Sequence, residues 1–114
     1  RVELRSADPS ANPYLALAVT IAAGLDGVKR GLVPPAAVDG NIYEMTEAQR
    51  KKHKVDMLPT SLENAIIELK KDKLICNTLG EHILEKYVEA KKLEWLNYKT
   101  RISQWEIEEY LNKY

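Results

Sequence analysis

From Pro9 to Leu25 the chain runs for 17 residues without a charge, and no other stretch restricts its fold as strongly. Asn12 and Pro13 stand where a helix N-cap and a first helical position belong, because proline needs no N–H there and asparagine can accept one. From Tyr14 to about Arg30 small and apolar side chains fall on nearly every side of such a helix. A helix of that kind is expected to be buried on more than one face, which demands other elements around it. Two prolines, Ser10, Asn12 and Thr20 within the run, and a length short of the roughly 20 mostly apolar residues that span a bilayer, mark a buried helix and not a membrane segment. Gly24 and Gly27 either permit a close approach by a neighbouring backbone or mark an early helix end.

The remainder supplies those neighbours as helices. Thr46 and Gln49 form a capping-box pattern that opens a short basic helix with Arg50, Lys51, Lys52 and Lys54. After Pro59, Ser61 or Thr60 caps a helix carrying Leu62, Ala65, Ile66 and Leu69 at helical spacing. A turn near Asp72 leads into a short helix around 74–79, which Gly80 closes. The longest helix is expected from Glu81 to about Ile102, with Leu84, Val88, Lys91, Trp95, Tyr98 and Ile102 at steps of three and four. Ser103 and Glu106 form a second capping box, opening a last helix from Gln104 to the end. Between Gly31 and Met45, Pro34, Pro35 and Gly40 predict a long loop.

Before the uncharged run, residues 1–5 alternate. Arg1, Glu3 and Arg5 fall on one side, Val2 and Leu4 on the other, which is the period of a strand with one covered face. The expected fold is therefore mainly α, a piece of an α+β catalytic domain: one N-terminal β-strand followed by five or six helices. Because the chain opens on Arg1 in mid-pattern, it reads as a fragment of something longer.

With 17 basic and 17 acidic side chains, the net charge gives no electrostatic case for a nucleic-acid or anionic-membrane partner. The single cysteine, Cys76, excludes an internal disulfide framework and fits a cytoplasmic location. Cys76 reads as a small core residue, His53 and His82 as surface side chains, and Trp95 and Trp105 as packing residues. Chemistry is concentrated at the start. A carboxylate between two guanidiniums can hold a divalent cation while the arginines grip phosphate or carboxylate oxygens. A solvated strand face with weak local ion pairs fits the same pattern.

The segment Arg1-Val-Glu-Leu-Arg-Ser-Ala-Asp-Pro-Ser-Ala-Asn-Pro-Tyr-Leu-Ala resembles the R-x-E-x-R-x-x-D-x-x-x-N-P-Y-L-A motif of glutamine synthetase. Ala23-Gly-Leu-Asp-Gly-Val-Lys29, Asn41-Ile-Tyr-Glu-Met45, Leu58-Pro-Thr-Ser-Leu-Glu-Asn-Ala65 and the Trp-Glu-Ile-Glu-Glu-Tyr110 tail are similar to later stretches of that family, in the same order. The resemblance is to the C-terminal part of a bacterial type I enzyme, over residues 1–114. It implies ATP-dependent ligation of glutamate and ammonia through a γ-glutamyl phosphate, with Mg2+ or Mn2+ as cofactor and ATP as co-substrate. By the same resemblance Glu3 is the metal ligand, Arg1 binds nucleotide, and Arg5 serves the glutamate substrate and the transferred phosphoryl group as the catalytic residue. Tyr43 matches a loop tyrosine that some type I enzymes adenylylate. Its Asn-Ile-Tyr-Glu-Met-Thr context departs from the N-L-Y-D-L-P pattern of that regulated branch, so Tyr43 reads first as a loop anchor. The family further implies a double-hexamer clasped by C-terminal segments, and a regulatory protein as partner. The fragment alone is expected to be inactive. Against this stands a helical module for assembly or regulator binding, without catalysis.

Overall fold

In the computed structural model, residues 3–111 and 113 are described. They form six α-helices: α1 (Pro13–Lys29), α2 (Glu47–Lys52), α3 (Leu62–Lys71), α4 (Lys73–Leu79), α5 (Glu81–Lys99) and α6 (Gln104–Tyr110), with a 3-10 turn at Ile42–Glu44.

The expected starts are where the side chains put them. Asn12 Oδ1 accepts from the amides of Tyr14 (3.0 Å) and Leu15 (3.3 Å), and Pro13 is the first residue of α1. Thr46 with Gln49, and Ser103 with Glu106, close both capping boxes. Ser61, and not Thr60, caps α3 through Asn64 N at 3.1 Å. Asp72 ends α3 and caps α4, accepting from Ile75 N at 3.1 Å. Gly80 turns the chain into α5 at φ 74°, a value that costs a side-chain-bearing residue strain.

Helices α1, α3, α4 and α5 pack together: α1 lies on α4, α5 on α3 and α4, and α3 on α4. Ile66 of α3 and Val88 of α5 are the buried side chains of this cluster. Leu84, Val88, Lys91 and Trp95 follow the foreseen stripe and are buried or half-buried. The stripe stops there: Tyr98, still within α5, is 71% exposed, and α5 ends at Lys99 and not at Ile102. Thr100 Oγ1 donates to Leu96 O at 2.9 Å, and Ile102 lies beyond the helix with 75% of its surface exposed. The last helix likewise stops at Tyr110.

Two expectations need correction. The first is the N-terminal strand, and with it the α+β class: among the described residues there is no strand, and Glu3, Leu4 and Arg5 are exposed and irregular. Arg1 and Val2 lie outside the described residues. Alternation supplies a face, but a strand also needs a second strand to take its N–H and C=O groups, and none is present among the described residues. The second is the burial of α1 on several faces. Leu15, Ala16, Val19 and Ala22 are half-buried on one side, whereas Tyr14, Leu17, Ile21, Leu25 and Val28 are 53–83% exposed on the other. Gly24 and Gly27 neither end the helix nor admit a neighbour, since a Cβ at either would meet nothing within 4 Å. The radius of gyration, 18.4 Å, exceeds the ~13 Å of a compact chain this long, consistent with so much open apolar surface.

The second capping box makes one expected result specific. Ser103 N (2.7 Å) and Oγ (2.8 Å) both donate to Glu106, holding its carboxyl below the usual carboxylate range. A lowered folded value means the cap's contribution is complete above the unfolded pKa and is lost as pH falls through the folded one. Ser103→Ala removes the hydroxyl partner and is expected to move the Glu106 titration upward. NMR titration of the Glu106 side-chain carboxyl checks this, and an unmoved midpoint contradicts it.

Candidate functional site

The N-terminal segment enters α1 through a turn that its own side chains build. Asp8 Oδ1 accepts from Ser10 Oγ (2.5 Å) and Ser10 N (2.7 Å), and Ala11 N donates to Asp8 O at 2.9 Å, which delivers the chain to the Asn12 cap. The Ser10 hydroxyl and amide hold the Asp8 carboxyl below its ordinary value, with a smaller attraction from Lys91 of α5. The sequence marks Ser6–Asn12 as a turn region rich in residues that bond their own backbone, and the Asp8 turn lies within it.

Upstream of this turn, Arg5 Nε donates to Glu3 Oε1 at 2.6 Å. Both side chains are open to water, 53% for Glu3 and 84% for Arg5, so the ion pair by itself stabilises little. It nevertheless sets a carboxylate against a guanidinium, two of the three expected charges. Arg1, the third, lies outside the described residues. A divalent cation such as Mg2+ or Mn2+ takes about six oxygen ligands. Glu3 offers one carboxylate, and no group of three or more His, Cys, Asp or Glu able to hold a metal occurs among the described residues. These residues fit one corner of a metal site, not a whole one.

Tyr43 sits in the middle of the 3-10 turn. Asn41 organises that turn, accepting from Tyr43 N at 3.1 Å and donating through Nδ2 to Glu44 Oε1 at 2.8 Å. The phenol is 98% exposed, so the backbone is anchored while the ring is free for contact from outside.

Elsewhere the chemistry is sparse. A cleft of about 290 Å3 between α1, α3, α4 and α5 is walled by Leu15, Val19, Ile66, Leu69, Ile75 and Leu79. Lys91 is its charged lining residue; its Nζ donates to Glu94 at 2.7 Å, which raises its pKa, and lies 5.9 Å from the Tyr87 ring centroid. Among its described lining residues Lys91 and Tyr87 are the titratable groups. Half-buried Cys76 donates from Sγ to Leu69 O at 3.2 Å, a packing role, and His53 and His82 are exposed. Trp105 is 61% exposed, meeting Tyr110 edge-on at 5.8 Å, so only Trp95 packs as expected. No helix among the described residues is long and apolar enough to cross a membrane.

A family model described as glutamine synthetase, catalytic domain, matches residues 1–110. The chain is 50% identical over its full length to a glutamine synthetase of Clostridium saccharobutylicum, covering 26% of that protein. It is 49% identical over its full length to that of Thermus thermophilus, again covering 26%, and 50% identical over 111 residues to that of Thermotoga maritima, covering 25%. The chain thus spans about a quarter of the length of the curated relatives it matches. With the Glu3–Arg5 pair leading through the Asp8 turn into the Asn12-capped helix, and with these matches along nearly all its length, the chain belongs to the glutamine synthetase catalytic-domain family.

Proposed function

We propose that this chain is the C-terminal part of the catalytic domain of a glutamine synthetase and carries one edge of its active site. The parent enzyme joins ammonia to the side-chain carboxylate of glutamate at the expense of ATP. In that chemistry a carboxylate oxygen takes the terminal phosphoryl group, ADP leaves, and ammonia then displaces phosphate from the acyl phosphate. Charge crowds onto the transferring phosphoryl group, so cations must face it. Mg2+ or Mn2+ supplies part of that charge when bound, and Glu3 contributes one oxygen ligand toward it. We assign Arg5 to the glutamate and the phosphoryl group, and Arg1 to the nucleotide, by the family motif they match. The Glu3–Arg5 pair at 2.6 Å carries this reading, because a carboxylate and a guanidinium in contact can turn to a cation and an anion bound side by side. The reading extends to a cytoplasmic parent assembled as a double-hexamer, with a regulatory protein as a further partner and Tyr43 as a loop residue open to modification.

A second reading, a helical assembly or regulator-binding module without catalysis, draws on the uncovered apolar side of α1. The two part company in an activity assay. The full-length enzyme should form γ-glutamyl hydroxamate from glutamate, ATP and hydroxylamine with magnesium or manganese. Absence of product under all metals would favour the module. The 114-residue chain by itself is expected to turn over no ATP, since one carboxylate cannot complete a metal site. ATP turnover that co-purifies with the chain would overturn the division of the active site proposed here.

A further inference from the structure

Between Arg5 and Tyr14 the chain passes from open backbone to packed helix. Upstream, Glu3, Leu4 and Arg5 are exposed and belong to no helix. Downstream, α1 is fastened to α4, with Leu15 and Val19 half-buried. The direction in which Glu3 and Arg5 leave the helix cluster is therefore set by residues 6–12.

Most of that connection is tightly bonded. Asp8–Ala11 is a four-residue turn closed by Ala11 N, which donates to Asp8 O at 2.9 Å. Aspartate in its first place and proline in its second are residues such a turn favours, since Pro9 fixes its own φ and disfavours helical backbone at Asp8. Asp8 Oδ1 accepts twice more, from Ser10 N at 2.7 Å and Ser10 Oγ at 2.5 Å. Asn12 then caps α1. The end of the turn also meets a distant element, because Ala11 and Asn12 line the same cleft as Tyr87 and Lys91 of α5. The Lys91 ammonium attracts the Asp8 carboxylate, less strongly than the Ser10 bonds do. Only Ser6 and Ala7 lie between Arg5 and this turn.

We propose that Asp8 is a positioning residue for the Glu3–Arg5 pair: as the acceptor at the heart of the turn, its side chain fixes the angle at which residues 3–5 leave α1, and so where Glu3 meets a divalent cation. The proposal rests on the assignment of Glu3 to the metal and goes beyond it in naming what holds Glu3 in place. Asp8 acts through the backbone and is not itself a ligand. Without its side-chain oxygens the Ser10 hydroxyl and amide turn to water and residues 6–11 regain rotational freedom. Glu3 must then be ordered anew each time a cation binds, and that entropy is lost from the binding free energy.

The test uses the full-length synthetase and Mn2+, whose free concentration is read by electron paramagnetic resonance, so that binding is measured without turnover. Glu3→Gln first identifies the binding step to which Glu3 contributes. At that step Asp8→Ala is expected to weaken Mn2+ about tenfold, the lower end for groups that orient a metal ligand. Asp8→Asn keeps an oxygen acceptor for Ser10 and can build the same turn, so its affinity should stay within about twofold of wild type. The Mn2+ concentration for half-maximal hydroxamate formation should move in parallel. A residue that served stability alone would lower the amount of folded enzyme and leave both midpoints unmoved; circular dichroism and sedimentation report folding and assembly. Should Asp8→Ala fail to fold, Ser10→Ala removes one of the two donors and keeps the backbone, with a smaller weakening expected in the same direction. If Glu3→Gln weakens Mn2+ and the turn variants do not, the positioning role falls and the site assignment stands. If none of them weakens it, both fall. Equal weakening by alanine and asparagine at position 8 also overturns the proposal, because charge and not the turn would then be what matters.

Discussion

Glu3→Gln, introduced into the full-length synthetase, is expected to lower hydroxamate formation at least about tenfold, equivalent to roughly 1.4 kcal/mol of transition-state stabilisation. The substitution keeps the shape of the side chain and removes its charge. An exposed carboxylate that merely pairs with Arg5 would not be missed, since such a pair contributes at most about 1 kcal/mol to stability and nothing to turnover. A carboxylate that faces a divalent cation would be missed at once. The expected loss should shrink when the metal concentration is raised, because a weakened site can be refilled by mass action, and folding and assembly should match those of the wild type. Equal activity of the two proteins would leave the family membership intact and remove Glu3 from the site.

Ile66→Ala in the 114-residue chain is expected to cost about 2–5 kcal/mol, the range for truncating a large buried aliphatic side chain. Ile66 is 6% exposed and, with Val88, forms the buried centre on which α3 and α5 meet. A whole domain is commonly stable by only about 5–15 kcal/mol, so one such loss threatens the entire cluster. Leu17→Ala, on the open side of α1 at 61% exposure, should change stability by no more than about 0.5 kcal/mol. Thermal or denaturant unfolding followed by circular dichroism separates the two. Equal losses would mean that the open side of α1 is covered in solution, contrary to the packing described here.

The local elements were legible because their signals are local. Asn12, Thr46, Ser61, Asp72 and Ser103 are polar side chains at helix starts, each accepting a hydrogen bond from an amide two or three residues ahead, and no distant contact is needed to recognise them. The stripe from Leu84 to Trp95 was legible for the same reason, being a property of one helix. The continuation to Ile102 was not, because Thr100 bonds back to Leu96 and ends the helix inside an unbroken apolar period. The family motif around Glu3 and Arg5 was readable as a pattern of residue types, and the contact between the two followed from their proximity in the chain.

Alone, the sequence determined where helices begin, which of their sides are apolar, and which family the chain resembles, since capping, periodicity and motif all reside in short runs of residues. Tertiary structure decided what those sides and runs meet. Residues 1–5 have the alternation of a strand, yet among the described residues none is in one, because pairing is a relation between two segments and periodicity belongs to one. α1 has apolar side chains almost all round, yet only the side against α4 is covered. Burial depends on a neighbour being there, and no pattern within a helix can supply it.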